Sequence, residues 1–309
     1  MKALFLVLLS LALFGAEPVR IIFDTDMGND IDDALALAML HAFDSRGDAK
    51  LVGVTLTKDN VWATRFVSAV NTFYNRAGIP LGMVSDGKTK EDGKYLRQTV
   101  EGGKFPYSEQ STEAVALLRS LLTKSPDQSV VLVQVGFSTN LARLAAGEDD
   151  RALINRKVRF LSLMGGNFQE KSPEYNIKID IPAAQKLFSE WPTPIFVSGF
   201  EVGRTIKFPA RSIESDFSWV KDHPVAEGYR HYMKMPYDRE TWDLTSVLYA
   251  VHPDRGYFDV SPPGRITVGE DGNTSFAEAA GGKHRYLIVN DTQRARILEA
   301  FIYLATQPR

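Results

Sequence analysis

The chain of 309 residues is 44% hydrophobic and 24% charged, enough to bury a large core as one big α/β domain or two smaller ones, which excludes a disordered chain. Its 36 basic and 38 acidic residues leave a net charge of -2, no electrostatic footprint for nucleic acid or an anionic membrane, so the expected partner is a small molecule. The absence of cysteine excludes disulfides, thiolate metal ligands and a cysteine nucleophile.

At the N-terminus, Met1 and Lys2 precede an apolar run over 3–14 and the small pair Gly15 and Ala16. That order is the order of a secretory signal peptide, and the run is shorter than the roughly 20 apolar residues a membrane span needs. Residues 1–16 are therefore expected to be a leader that sends the protein to the periplasm or the exterior, with 17–309 as a single domain; the competing reading is a buried first strand or helix.

Beyond the leader, β-rich runs alternate with helical patterns. Strands are predicted over 19–24, 50–57, 80–84, 129–135, 158–164 and 194–198, and helices over 31–43, 61–77, 112–123, 138–146 and 182–191. This alternation predicts an α/β fold, a mostly parallel central sheet with helices on both faces. The segment 85–111 is polar and glycine-rich, a mobile flap or a long surface excursion. After residue 204 the pattern loosens, leaving a helix over 241–251, strands near 265–268 and 286–289, and a last helix opened by Asn290 or Asp291.

Ligands of such sheets bind beyond the carboxyl ends of the strands. The loops there read "DTDMGNDIDD", "TKDN", "VGFSTN" and "LMGGNFQEKSPEYN". The first gathers Asp24, Asp26, Asp30, Asp32 and Asp33 within ten positions. Two unit charges 4 Å apart repel by about 4 kcal/mol at an effective dielectric of 20, so a cation is the natural partner. Ligands that are all oxygen suit Ca²⁺ or Mg²⁺ rather than zinc. Helix capping accounts for the acids after Gly28 but not for Asp24 and Asp26 before it. An EF-hand starting at Asp24 fails, because Asn29 and Leu35 stand where glycine and glutamate are required. A phosphatase of the haloacid dehalogenase type also begins with D-x-D after a strand, but usually carries Thr or Val where this chain has Gly28.

The first loop resembles the D-x-D-x-G-x-D-D-A mark of the inosine-uridine type nucleoside hydrolases, with two extra residues between Gly28 and the Asp32, Asp33 pair. The resemblance continues in order through Asn60 in "TLTKDN", through "VGFSTN", through "LMGGN" with "PEYNIKIDIPAA", and through "WDLTSVLYAV". It implies a calcium-dependent hydrolase of the N-glycosidic bond of nucleosides or related ribosyl compounds, forming dimers or tetramers. By position it implies Asp26, Asp33, Asp243 and the backbone carbonyl of Val135 as Ca²⁺ ligands, with Asp26 also the general base on an activated water. Asn60, Met164, Glu174, Asn176 and Asp32 would contact the ribose, with Asp30 competing for the role of Asp32 because of the two extra residues.

Two departures concern the leaving base. Trp242 occupies the position where many members carry His, and the family's H-G-x-x-G-like stretch after the third strand is replaced by the glycine-rich segment. Trp stacks on a base or lines its pocket but is no general acid. His231, Glu201 and Arg239 are the side chains whose reach into the pocket would decide how the base is served. The rival readings are a noncatalytic ribosyl-binding protein and, behind it, the phosphatase.

Overall fold

The computed structural model describes residues 17–308, so the predicted leader over 1–16 lies outside the described residues. In chain order the first part runs β1 (Val19–Thr25), α1 (Asp32–Arg46), β2 (Ala49–Leu56), α2 (Val61–Phe73), β3 (Leu81–Met83), α3 (Leu96–Gly103), β4 (Thr112–Glu113), α4 (Ala114–Lys124) and β5 (Val130–Gln134). The middle follows as α5 (Thr139–Leu144), α6 (Glu148–Lys157), β6 (Val158–Met164), α7 (Tyr175–Ile179), α8 (Ile181–Glu190), β7 (Ile195–Ser198) and α9 (Phe200–Arg204). The last part comprises β8 (Lys207–Phe208), α10 (Ala210–Ser215), α11 (Pro224–Tyr232), β9 (Arg239–Glu240), α12 (Trp242–Val251), β10 (Asp259–Val260), β11 (Gly264–Val268), β12 (Thr274–Glu278), β13 (His284–Ile288) and α13 (Asp291–Ala305).

One large sheet carries the order β12-β11-β13-β7-β6-β5-β1-β2-β3-β4, with β10 on β13, while β8 and β9 form a separate pair. Pairing is parallel from β13 across to β4 and antiparallel at β10, β11 and β12. The parallel strands are apolar because helices cover both faces; β5, "VVLVQ", is buried at every residue. Along β1, Ile21 and Phe23 enter one core with the side chains of α1, α2 and α12, while Ile22 enters the other with those of α4, α5 and α8. Helix α1 is buried from Asp32 to Phe43, which is why it reads as continuously apolar rather than amphipathic. No helix among the described residues is long and apolar enough to cross a membrane.

Several elements depart from expectation. The segment 85–111 holds α3 and packs down: Tyr95 is fully buried and its hydroxyl donates to the Asp30 carbonyl at 2.9 Å. The predicted helix over 112–123 begins two residues late because Thr112 and Glu113 pair with β3, and Glu113 then caps α4. Helix α6, "EDDRALINRK", buries only Ile154 and Lys157, too little apolar character to show a period.

The chain runs from β1 to β2 on one side and reaches β5 on the other, so β1 and β5 flank a topological switch point, where open α/β sheets bind ligands. The loop after β5 is drawn onto the loop after β1: the amides of Val135 and Gly136 both donate to the Asp24 carbonyl, at 2.7 and 3.3 Å. A Cβ on Gly136 would lie 2.4 Å from Thr57 Oγ1 and 2.6 Å from the Asp26 nitrogen. Gly136→Ala should therefore lower stability by about 1–3 kcal/mol as an overpacking change. The check is a lower denaturant midpoint at unchanged m-value; an unaltered midpoint would contradict the tight approach.

Candidate active site

Asp24 closes β1 with its side chain turned into the protein. Its Oδ1 accepts from Thr55 Oγ1 at 2.6 Å and from Asn140 Nδ2 at 2.8 Å, fastening β1 to β2 and α5. Asn140, within α5, thus acts as a tether to the end of β1. Burial pushes the Asp24 carboxyl up to about 7, and its second oxygen is buried without a partner.

Past Asp24 the chain turns at Gly28, whose φ of 110° belongs to the left-handed region that only glycine enters freely. This turn opens onto a cavity of about 350 Å³. Asp26, Asp30, Asp32, Asp33, Val135, Met164, Glu174, Asn176, Trp242 and Asp243, which lie far apart in the sequence, all line it. Asn60 is the exception: it caps α2 by accepting from the Trp62 amide at 2.8 Å and donates to the Lys90 carbonyl and Asp92, off the cavity wall. Arg239, Asn29, Tyr175 and Phe200 complete the lining.

The acids are delivered by two helix N-termini. Asp32 and Asp33 occupy the first turn of α1, Asp243 the first turn of α12, and the Asp243 amide donates to Asp32 Oδ2 at 3.0 Å. Carboxylates are favoured at helix N-termini, where unsatisfied N–H groups and the dipole face them. That compensation is incomplete. Asp32, Asp33 and Asp243 each bring an oxygen to within 4.8 Å of the others. Burial first, then the neighbouring carboxylates, hold all three well above the ordinary carboxylate range. Thr25 donates to one oxygen of Asp33, and the other is buried without a partner.

Asp26 is not part of this triad but shares the cavity, and burial raises its carboxyl to about 6. Its Oδ2 accepts from Asn29 Nδ2 at 2.8 Å, and behind Asn29 the fully buried Lys58 amine donates to Asn29 Oδ1 at 2.8 Å and to Glu91 at 3.2 Å. An orphaned buried oxygen, a donor set of oxygens alone and mutual repulsion among the acids fit a hard divalent cation.

Opposite the acids, Glu174 accepts from the amides of Asn176 at 2.9 Å and of Ile177 and Gly166 at 3.2 Å. Burial nonetheless lifts it to about 7. Asn176 Nδ2 donates to the Val135 carbonyl at 2.7 Å and touches Met164 Sδ at 3.3 Å, joining the predicted sugar wall to the predicted carbonyl ligand.

On the third side Trp242 stacks on Phe200, ring centroids 5.5 Å apart, and donates its only N–H to the Phe200 carbonyl at 3.0 Å. With Phe200 against the indole and the Arg239 guanidinium 5.2 Å from its ring centroid, Trp242 gives the cavity an aromatic wall and no free side-chain donor. Of the three candidates for the base side, Arg239 reaches the cavity, whereas His231 is exposed away from it and Glu201 accepts from the Phe168 amide. No histidine lines the cavity. Arg239 holds Asp30 through Nε at 2.9 Å and through Nη2, so both Asp30 oxygens are engaged. The Arg239–Asp30 pair spans 209 residues, and no local pattern announces it.

A family model of the inosine-uridine preferring nucleoside hydrolases matches residues 21–299. No match was found among curated proteins. Among solved structures, a plant nucleoside hydrolase is 22% identical with a TM-score of 0.73, covering 94% of this chain and 100% of its own. A purine-preferring ribonucleoside hydrolase from Gardnerella vaginalis is 20% identical with a TM-score of 0.74 over 93% of this chain and 98% of its own. A type III effector protein, XopQ, solved in complex with adenosine diphosphate ribose, is 16% identical with a TM-score of 0.70 over 94% of this chain and 95% of its own. These structures share the α/β fold with the mostly parallel sheet. The match over 21–299 assigns the chain to the inosine-uridine preferring nucleoside hydrolases, a family of N-glycosyl hydrolases.

Proposed function

We propose that this protein hydrolyses the N-glycosidic bond of nucleosides or closely related ribosyl compounds, with Asp26 as general base. The observation that carries this reading is the convergence, in one cavity, of an acidic cluster, a sugar-binding wall and an aromatic face from five separate loops. Asp33, Asp243, Asp26 and the Val135 carbonyl would hold a calcium ion, with Asp32 beside them. When bound, the ion supplies a water of lowered pKa and neutralises the acids around it.

The remaining chemistry belongs to the chain. Asp26, fixed by Asn29, takes the proton of the attacking water. Asp32, Glu174 and Asn176 hold the ribose hydroxyls, and the negative charge of the surrounding carboxylates favours the cationic character the sugar gains as its bond to the base breaks. The face of Trp242 receives the base. A leader over 1–16 with export to the periplasm or exterior, one domain over 17–309, and assembly into dimers or tetramers belong to the same proposal.

The lack of a cavity histidine favours one second reading, a ribosyl-binding protein that retains the grip without turnover. Incubation with a nucleoside panel in calcium decides between them: released reducing sugar supports the hydrolase, and recovery of every nucleoside intact supports the binder. Asp26→Asn is expected to cut kcat by about 10²–10⁴-fold, the usual contribution of a general base; a variant with wild-type kcat would remove Asp26 from the mechanism.

Metal binding has its own pH signature. A carboxyl whose folded pKa lies above its unfolded value binds protons more tightly when folded, so it stabilises below the unfolded pKa and loses that contribution as pH rises through the folded pKa. Asp26 at about 6, together with the raised Asp33 and Asp243, therefore leaves the metal-free protein with growing repulsion between about pH 4 and 7. Protons compete with the ion over the same window. The rise in Tm caused by calcium should increase from pH 5 to pH 8 and be largely lost in Asp33→Asn and Asp243→Asn. A rise independent of pH, or retained in both variants, would place the ion elsewhere.

A further inference from the structure

The lengthened turn over 29–31 carries Asp30, which meets Arg239, and the pair lines the cavity together with Trp242. Of the five N–H groups of a guanidinium, Arg239 commits two to Asp30 and one to Glu240 at 3.3 Å, leaving two without a recorded partner. The guanidinium lies 5.2 Å from the Trp242 ring centroid and 5.5 Å from that of Tyr232, so its plane is fixed by aromatic faces as well as by the carboxylate. Among the described residues no other cationic side chain lines the cavity. Of the other donors there, the Trp242 N–H is spent on the Phe200 carbonyl, Asn29 is committed to Asp26 and Asn176 donates to the Val135 carbonyl, which leaves the Tyr175 hydroxyl as the rival donor.

We propose that Arg239, oriented by Asp30, is the leaving-group residue of this enzyme, acting as a charged hydrogen-bond donor rather than as a proton donor. The inference rests on the hydrolase reading. In the step it serves, the bond between C1′ and the base nitrogen breaks heterolytically and the electron pair departs with the base. The water oxygen bonds to C1′ and its proton passes to Asp26. The free N–H groups of Arg239 receive the anionic charge as it spreads over the acceptor atoms of the base, which then takes a proton from solvent while Asp26 returns its own to solvent; one water is consumed, and ribose and neutral base result. An arginine keeps its proton throughout, so it cannot act as the acid, but a preorganised charged donor aimed at developing charge is an effective substitute. The substrate class this favours is ribosides whose base carries ring-nitrogen or carbonyl acceptors able to share a negative charge. Asp30 is a positioning residue, acting through Arg239.

The test compares two ribosides on the intact protein with calcium: inosine, whose base needs assistance to leave, and 4-nitrophenyl riboside, whose nitrophenolate leaves with little. Arg239→Gln should lower kcat/KM for inosine by about 10²–10³-fold, the cost of losing one transition-state donor, and for the nitrophenyl riboside by less than about tenfold. Asp30→Asn should show the same selectivity with a smaller loss, and the double variant should be no worse than Arg239→Gln. Equal losses on both ribosides overturn the inference, reducing Arg239 to a structural role. So does a selective loss found instead in Tyr175→Phe, which removes the hydroxyl donor on the wall. Wild-type turnover of neither riboside overturns the hydrolase reading itself, and this inference with it.

Discussion

Everything about this site follows from burying carboxylates that repel one another. Asp26, Asp32, Asp33 and Asp243 sit in one cavity at nearly complete burial, where desolvation and mutual charge both oppose ionisation. Two helix N-termini, of α1 and α12, offset part of that cost, and the Asp243 amide offsets a little more by donating to Asp32. The repulsion that remains is of the kind a hard cation held by oxygen ligands would relieve, which fits the acidic cluster to a metal-dependent hydrolase family.

The fold exists around that cluster in a direct sense. Parallel strands buried on both faces end together on one rim, and the chain reverses direction beside β1, so the loops after β1 and β5 are forced to share a crevice. Asp24 turns this topological proximity into a rigid contact. Its side chain binds Thr55 and Asn140 and its carbonyl accepts two amides of the loop after β5, which fixes the Val135 carbonyl relative to Asp26. The buried Lys58 plays a similar part from the other side, holding Asn29 against Asp26.

Against this shared half of the site, the base side is built differently. Trp242 has its single donor committed and offers a face; Arg239 offers charge; no histidine reaches the cavity. The lengthened turn over 29–31 makes this arrangement possible, because it carries both Asn29, which steadies Asp26, and Asp30, which holds Arg239. The segment 85–111 is recruited to the same end: the Tyr95 hydroxyl pins the Asp30 carbonyl, and Leu96 packs where a side chain on Gly28 would otherwise stand.

Local sequence was sufficient wherever function depends on one loop or on a periodic element. The strand-end aspartates, the parallel sheet, the all-oxygen donor set and the family itself were legible in residues 24–33 and in four further ordered segments, because backbone geometry at a strand end constrains which side chains share a loop. Asn60 shows the limit: its place in a motif suggested the sugar, but the nearby Lys90 carbonyl and Asp92 take its amide, and only the packing of 85–111 brings them there. Asn140 shows the same limit, its side chain reaching across 116 positions to Asp24. Short polar elements such as α6 and the two-residue strands were invisible because too few apolar side chains carry their period. The sequence by itself determined which groups exist and how much charge must be neutralised; the tertiary structure decided which partner each group meets. A hydrogen bond or ion pair across 209 residues, such as Asp30 with Arg239, depends on where whole elements pack, which no local pattern encodes.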